Sequence, residues 1–99
     1  MNIVFKALAD PTRRQVLQLL KDGPLTAGEI ACHVSIAKPT LSAHLALLRQ
    51  AELVGCEKRG TSITYWLNAT VLQEALLAFA DSVDIGLGTK RSRTAGGST

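Results

Sequence analysis

The stretch LTAGEIACHVSIAKPTLSAHLALLRQAELVGCEKRGTSITYWL, Leu25 to Leu67, decides the fold. It reads as helix, tight turn, helix and a short polar hairpin. Thr26-Ala-Gly-Glu29 is a capping box, so a helix starts there and runs to about His33. A turn over Val34 to Ala37 leads to a second helix opened by Pro39. Its leucines at 41, 45 and 48 recur at i, i+4 and i+7, which predicts a core-facing stripe. Thr40, Ser42, Ala43 and His44 then fall largely on the outer side. Val54 to Arg59 and Ile63 to Leu67 read as strands joined at Gly60-Thr61-Ser62. Ile63, Tyr65 and Leu67 share one face of the second strand; Thr64 and Trp66 take the other. Trp66 is expected to point off the core and to cover part of the hairpin or an interface. A helix with small polar and basic side chains, set beside a basic hairpin tip, is an arrangement that reads DNA.

Outward from this stretch the pattern is helical. Residues 2 to 9 are apolar at Ile3, Val4, Ala7 and Leu8, at helical spacing. Asp10 and Pro11 end that helix and start another, since Asp is a good N-cap and Pro suits the first helical position. The second helix, Pro11 to Lys21, presents Val16, Leu17 and Leu20 to the core. Asp22-Gly23-Pro24 stops it. Thr70-Val-Leu-Gln73 reads as a second capping box. It opens a last helix to about Val83, apolar at 72, 76, 79, 80 and 83. The expected fold is mainly α with a small β-hairpin, a winged helix-turn-helix: four helices, two strands and a fifth helix. Residues 1–85 form the DNA-binding and dimerisation domain. Residues 86–99, rich in Gly, Ser, Thr and basic residues, read as a disordered basic tail.

At 99 residues the chain allows one domain with a thin core, and an oligomer interface is expected. Ile3, Val4 and Leu8 at one end, with Leu72, Leu76, Phe79 and Val83 at the other, are the candidate interface. The net charge of +3 is unevenly placed. Residues 1 to 84 hold eight Lys or Arg and eight Asp or Glu, so the excess lies at Lys90, Arg91 and Arg93. Within the body, Lys38, Arg49, Lys58 and Arg59 cluster in the quoted stretch, whereas residues 69 to 84 carry only Glu74, Asp81 and Asp84. Such segregation suits one DNA-facing surface. Cys32 and Cys56 form no CxxC pair, which points to a reducing compartment. No signal-peptide pattern and no apolar run near ~20 residues is present, so a cytoplasmic protein is expected.

The motifs LADPTRRQVLQLL, TAGEIA, KPTLSAHLALLRQAELV and KRG with a following YWLN resemble the ArsR/SmtB family of dimeric winged-helix repressors. The similarity runs without gaps over about residues 3 to 83. Within the family the chain is similar to the SdpR-like autorepressor branch, with a KPT-type opening and an LN-x-T start to the last helix. The resemblance implies a helix-turn-helix from Thr26 to Ala51, with the helix from Lys38 in the major groove. It implies a wing at Lys58 to Ser62 near the minor groove or the phosphates, and a two-fold dimer built by the first and last helices. The implied DNA-binding residues are Lys38, Pro39, Thr40, Ser42, Ala43, His44, Lys58, Arg59, Gly60 and Thr61. The implied partners are a pseudo-palindromic double-stranded operator, a second copy of the chain and, from the branch, a membrane-protein antirepressor.

Three departures from the family pattern matter. Ala37 stands where a capping Ser is common, a loss of typically ~1 kcal/mol. Ala43 stands where a His is common. In the register of the metal-type ELCVCDL motif this chain has Glu29-Ile-Ala-Cys-His33-Val, so Ala31 replaces the first thiolate and His33 the second. No metal and no cofactor is therefore expected. Cys32 reads as a small buried or half-buried filler and Cys56 as core-facing. Arg13 and Arg14 read equally well as DNA-backbone contacts or as structural residues. No catalytic motif is present, so the chain does not read as an enzyme. Two alternatives stay open: a metal- or thiol-responsive repressor, and a winged-helix module that docks a protein.

Overall fold

The computed structural model describes residues 2–84. The elements run α1 (Asn2–Leu8), α2 (Pro11–Leu20), β1 (Leu25–Thr26), α3 (Ala27–His33), α4 (Lys38–Gln50), β2 (Val54–Arg59), β3 (Ser62–Leu67) and α5 (Ala69–Ser82). The helices begin and end where the side-chain chemistry directs. Asp10 caps α2, accepting from the backbone N–H of Thr12 at 2.7 Å and of Arg13 at 3.2 Å. The capping box of α3 forms in full: Thr26 Oγ1 accepts from Glu29 N, and Thr26 N donates to Glu29 Oε1 at 2.8 Å. At the head of α4, Ala37 supplies no side-chain cap.

The core lies between the helices and one face of the sheet. Val16, Leu17 and Leu20 of α2, Ile30 of α3, and Leu41, Leu45 and Leu48 of α4 are all buried, joined by Leu53, Val54 and Tyr65. The leucine stripe of α4 is thus on the inside, as its spacing requires. Cys56, Ile63 and Leu67 pack against this core from the hairpin.

The sheet differs from the expected hairpin by one strand. Its order is β1-β3-β2, all antiparallel, with Leu25 opposite Tyr65 and Thr26 opposite Thr64. A two-residue strand has no period to read, and Thr26 doubles as the cap of α3, so only tertiary pairing defines it. The β2–β3 hairpin pairs Val54 with Leu67 through to Arg59 with Ser62. This leaves Gly60 and Thr61 as a two-residue tip. Gly60 has φ +59°, the positive first position of a II′ turn, which glycine adopts without a Cβ clash.

The expected capping box at Thr70 does not form the start of α5. The helix opens one residue after Asn68, which makes no side-chain cap bond. Asn68 is used elsewhere: its Nδ2 donates to the Glu52 carbonyl at 3.0 Å and its backbone N–H to the Leu53 carbonyl at 2.9 Å. The end of the hairpin is thereby tied to the exit of α4. That exit is a Schellman turn, with Leu53 N donating to Leu48 O at 3.0 Å and Glu52 N to Arg49 O at 2.9 Å. Residue 52 takes φ +62°, a left-handed conformation that a side chain disfavours. Glu52→Gly is expected to raise stability by about 0.5–1 kcal/mol with no change in fold. A urea titration followed by Trp66 fluorescence checks this; a loss of stability would contradict it.

Candidate nucleic-acid interface

The outer face of α4 is defined by what its inner face buries. With Leu41, Leu45 and Leu48 inside, Lys38, Pro39, Thr40, Ser42 and Ala43 are exposed over the first two turns. The polar residues among them offer one ammonium and two hydroxyls, groups that bond phosphates and base edges. Ala43 offers a methyl, which suits a thymine methyl or a close backbone approach. The exposed face continues through Ala46, Arg49 and Gln50. Between α3 and α4 lies a cleft of ≈ 200 Å³ lined in part by Gly28, Ala31, Lys38 and Ser42. It is smaller than the ~300 Å³ at which ordinary small-molecule sites begin.

His44 is the exception on this helix. Its side chain is only 14% exposed, and it turns toward the α1–α2 junction. Nδ1 lies 3.0 Å from Arg13 Nη1, and Nε2 lies 4.0 Å from Asp10 Oδ1. Position 44 sits at the edge of the leucine stripe, where a helix meets its neighbours and not the solvent.

Arg13 and Arg14 prove to be structural in this fold. Arg13 Nε donates to the Ala7 carbonyl at 2.8 Å, and its Nη2 donates to the Lys6 carbonyl at 3.0 Å. Arg14 Nη1 donates to the Leu8 carbonyl at 2.7 Å. Two guanidinium groups on the first turn of α2 thus cap the three last carbonyls of α1. The positive charge also suits the negative pole of that helix. At Asp10, partial burial raises the carboxyl pKa. The N–H groups of Arg13 and Thr12, with the facing His44 ring and the charge of Arg13, outweigh this and hold it below the ordinary value. The contact of Arg13 with His44 crosses from α2 to α4 and has no signal in the local sequence.

The wing tip is exposed throughout Lys58, Arg59, Gly60 and Thr61. Arg59 is not a free cation: its Nε donates to Glu57 Oε2 at 3.3 Å and its Nη2 to Glu57 Oε1 at 3.4 Å. The pair is open to solvent, with side-chain exposures of 77% and 54%, so it holds the guanidinium weakly. Residues two apart share one strand face, a signal that was legible in the sequence. Trp66 lies half-buried across from Gly55. A Cβ at residue 55 would meet the indole Nε1 at 2.5 Å, so the ring lies on the glycine backbone and only glycine fits. The tryptophan is a brace of the hairpin base, on its outer face.

At the opposite end, the apolar set divides. Ile3, Val4, Leu8 and Leu72 are half-buried against the chain's own core. Leu76, Phe79 and Val83 are exposed at 40%, 53% and 47%. Leu77, 46% exposed, joins them, and the half-buried Phe5 of α1 sets its ring centroid 5.4 Å from that of Phe79. Sequence periodicity leaves out both, because Leu77 lies off the last-helix stripe through 72, 76, 79, 80 and 83 and Phe5 lies off the first-helix stripe through 3, 4, 7 and 8. Cys32 is exposed, contrary to the expected filler role, because it falls on the α3 face opposite the buried Ile30. Cys56 is half-buried on the core side. Among the described residues, no three His, Cys, Asp or Glu side chains come together as a metal-binding group. No helix among them is long and apolar enough to cross a membrane.

The family model of bacterial regulatory proteins of the arsR family matches residues 10–55, from the α2 cap to the start of β2. The transcriptional repressor SdpR of Bacillus subtilis is 54% identical over 76 residues, covering 77% of this chain and 84% of that one. The chain belongs to the ArsR family. The HTH-type transcriptional regulator KmtR of Mycobacterium tuberculosis is 41% identical over 95 residues, covering 95% of this chain and 73% of that one. The crystal structure of an ArsR family transcriptional regulator superposes with a TM-score of 0.77 at 31% identity, over 84% of this chain and 91% of that one. HlyU of Vibrio cholerae superposes with a TM-score of 0.67 at 30% identity, over 81% and 87%. This ArsR-family chain is a DNA-binding helix-turn-helix transcriptional regulator and not an enzyme. The matched segment contains all of α2, α3 and α4, hence the whole helix-turn-helix. The wing tip and α5 lie beyond it.

The two arginines of α2 should be unequal in value. Arg13→Ala removes three part-buried or cross-helix contacts and is expected to cost about 2–3 kcal/mol. Arg14→Ala removes one exposed bond and is expected to cost less than about 1 kcal/mol. Urea denaturation of both variants checks the order; equal losses would contradict it.

Proposed function

We propose that the chain is a homodimeric repressor that binds a pseudo-palindromic operator, with α4 in the major groove and the β2–β3 tip on the backbone or the minor groove. The observation that carries this reading is the exposed Lys38, Thr40, Ser42 and Ala43 surface opposite a buried leucine stripe, together with the exposed Lys58 and Arg59 that lead into the hairpin tip. Lys58, Arg59, Gly60 and Thr61 form the wing contact, with phosphate oxygens replacing Glu57 as partners of Arg59. A protein-docking module would present a more apolar face on α4. Repression is the activity named for SdpR and for the arsenical resistance operon repressor of Staphylococcus aureus, the latter 34% identical over 76 residues.

The exposed Leu76, Leu77 and Phe79 of α5, with Val83 just past its end, support a dimer built there with α1. Two recognition helices then address half-sites about 34 Å apart. Release by a metal is not part of the reading, since Ala31 and His33 stand in the register of thiolate ligands and Cys32 is a single exposed thiol. Control by a membrane-protein antirepressor rests on the likeness to the SdpR branch alone, and a cytoplasmic setting on membership of a DNA-binding regulator family.

Two experiments test this. Phe79→Glu is expected to give monomers in sedimentation at micromolar concentration and to abolish operator binding; a wild-type monomer would sink the dimer. In a salt series on operator and scrambled duplexes, Arg59→Ala is expected to weaken both about equally and to lessen the log–log salt slope by about 1. Thr40→Ala or Ser42→Ala is expected to cost roughly 1–3 kcal/mol on the operator and little on the scrambled duplex. Equal losses on both duplexes for the helix variants would move the reading surface elsewhere.

A further inference from the structure

The resemblance counts His44 among the DNA-contacting residues, but its geometry assigns it a different task. An arginine can only donate, so the 3.0 Å contact from Arg13 Nη1 requires His44 Nδ1 to accept. The ring is then the neutral tautomer with its proton on Nε2, and that N–H faces the Asp10 carboxylate 4.0 Å away. Arg13 is itself anchored to the Lys6 and Ala7 carbonyls of α1, and Asp10 to the first turn of α2. One imidazole therefore joins the recognition helix to the α1 terminus and the α2 cap together.

We infer that His44 is a positioning residue for DNA recognition: as a neutral acceptor for Arg13 it fixes the pitch of α4, and it does not contact DNA. This rests on the reading of α4 as the groove-entering helix. The charged groups around the ring are Arg13 and Asp10 on the α2 side. On α1, Lys6 contributes its carbonyl to Arg13 while its side chain is exposed. On α4 itself, the neighbours one turn away, Thr40, Leu41, Leu47 and Leu48, carry no charge. Protonation of the ring places an N–H donor against the guanidinium and removes the only acceptor Arg13 has on α4. The contact must then open. Asp10 attracts the protonated ring from the other side, so the imidazole swings toward the α2 cap and α4 loses its anchor to α1.

The sign of the pH dependence separates positioning from contact. The test uses the full chain with His33→Gln, which leaves His44 as the single histidine of the two in the sequence. A duplex enriched from a random pool at about pH 8 is titrated down to about pH 5.5, the range in which histidine changes charge. Affinity is expected to fall about tenfold toward the acid end. His44→Asn supplies an amide oxygen in place of Nδ1 and carries no titrating proton. It is expected to bind like its parent at about pH 8 and to lose the pH dependence, whereas His44→Ala binds weakly throughout. If the ring instead touches DNA, protonation adds a cation beside the phosphates and affinity rises as pH falls, which overturns the inference. Nitrogen-15 NMR of the His44 ring in the free protein gives the second readout. An Nε2–H tautomer near neutral pH is expected, and an Nδ1–H tautomer overturns the inference without reference to DNA. A chain with the expected tautomer that enriches no duplex overturns the DNA reading, and with it the positioning role, while the Arg13 contact stands.

Discussion

Burial of Leu41, Leu45 and Leu48 is the constraint from which the remainder of this molecule follows. Each side chain is at most 4% exposed, and burial of a leucine contributes roughly 1.5–3 kcal/mol. A helix cannot rotate about its axis without giving up that stripe. The face opposite is therefore determined as firmly as the core is, although nothing on that face contributes to packing. This is how an exposed residue such as Ser42 is held in a defined direction. Rotation about the axis is settled by the leucines, and tilt is settled at one end by His44, through Arg13, on the α1 terminus.

The same junction explains the use of polar residues in a small protein. No polar or charged residue is fully buried among the described residues. The polar groups instead sit at helix ends, where backbone carbonyls and N–H groups lack partners. Arg13 and Arg14 serve the end of α1, Asp10 serves the start of α2, and Thr26 with Glu29 serve the start of α3. Asn68 serves the Schellman turn after α4. In a core this thin, hydrogen bonds at the joints set the angles between helices that the apolar contacts alone would leave loose.

Charge is handled as locally as the hydrogen bonds. The body of the chain is electrically balanced, so attraction to a polyanion depends on where the cations stand. Lys38 stands at the head of α4, and Lys58 with Arg59 stand at the hairpin tip. The Glu57 partner of Arg59 lowers the field of the wing while leaving the guanidinium free to exchange partners, since both groups are solvated. At the far end, α5 and the residue that follows it leave Leu76, Leu77, Phe79 and Val83 on the surface. A domain of this size has few other elements with which to cover them.

Much of this was legible in the residues. The capping box at Thr26 and Glu29, the Asp10–Pro11 start, the i, i+4, i+7 leucines and the Gly60 tip are local signals, and each acts through atoms within a few residues. Periodicity also identified the outer face of α4. The failures share one cause. The β1 strand, the Asn68 bond to Glu52, the inward turn of His44 and the close seat of Trp66 on Gly55 all join residues distant in the chain. Arg13 and Arg14 were undecided because a guanidinium at a helix start suits a phosphate and a carbonyl equally well. Cys32 was misplaced because a small helix of seven residues leaves its burial to whatever packs beside it. The sequence by itself determined the helices, the hairpin and the outer face of α4, since these depend on period and capping. The tertiary structure alone decided which polar side chains serve as joints and which remain free, because a hydrogen bond between distant residues is chosen by the geometry of packing.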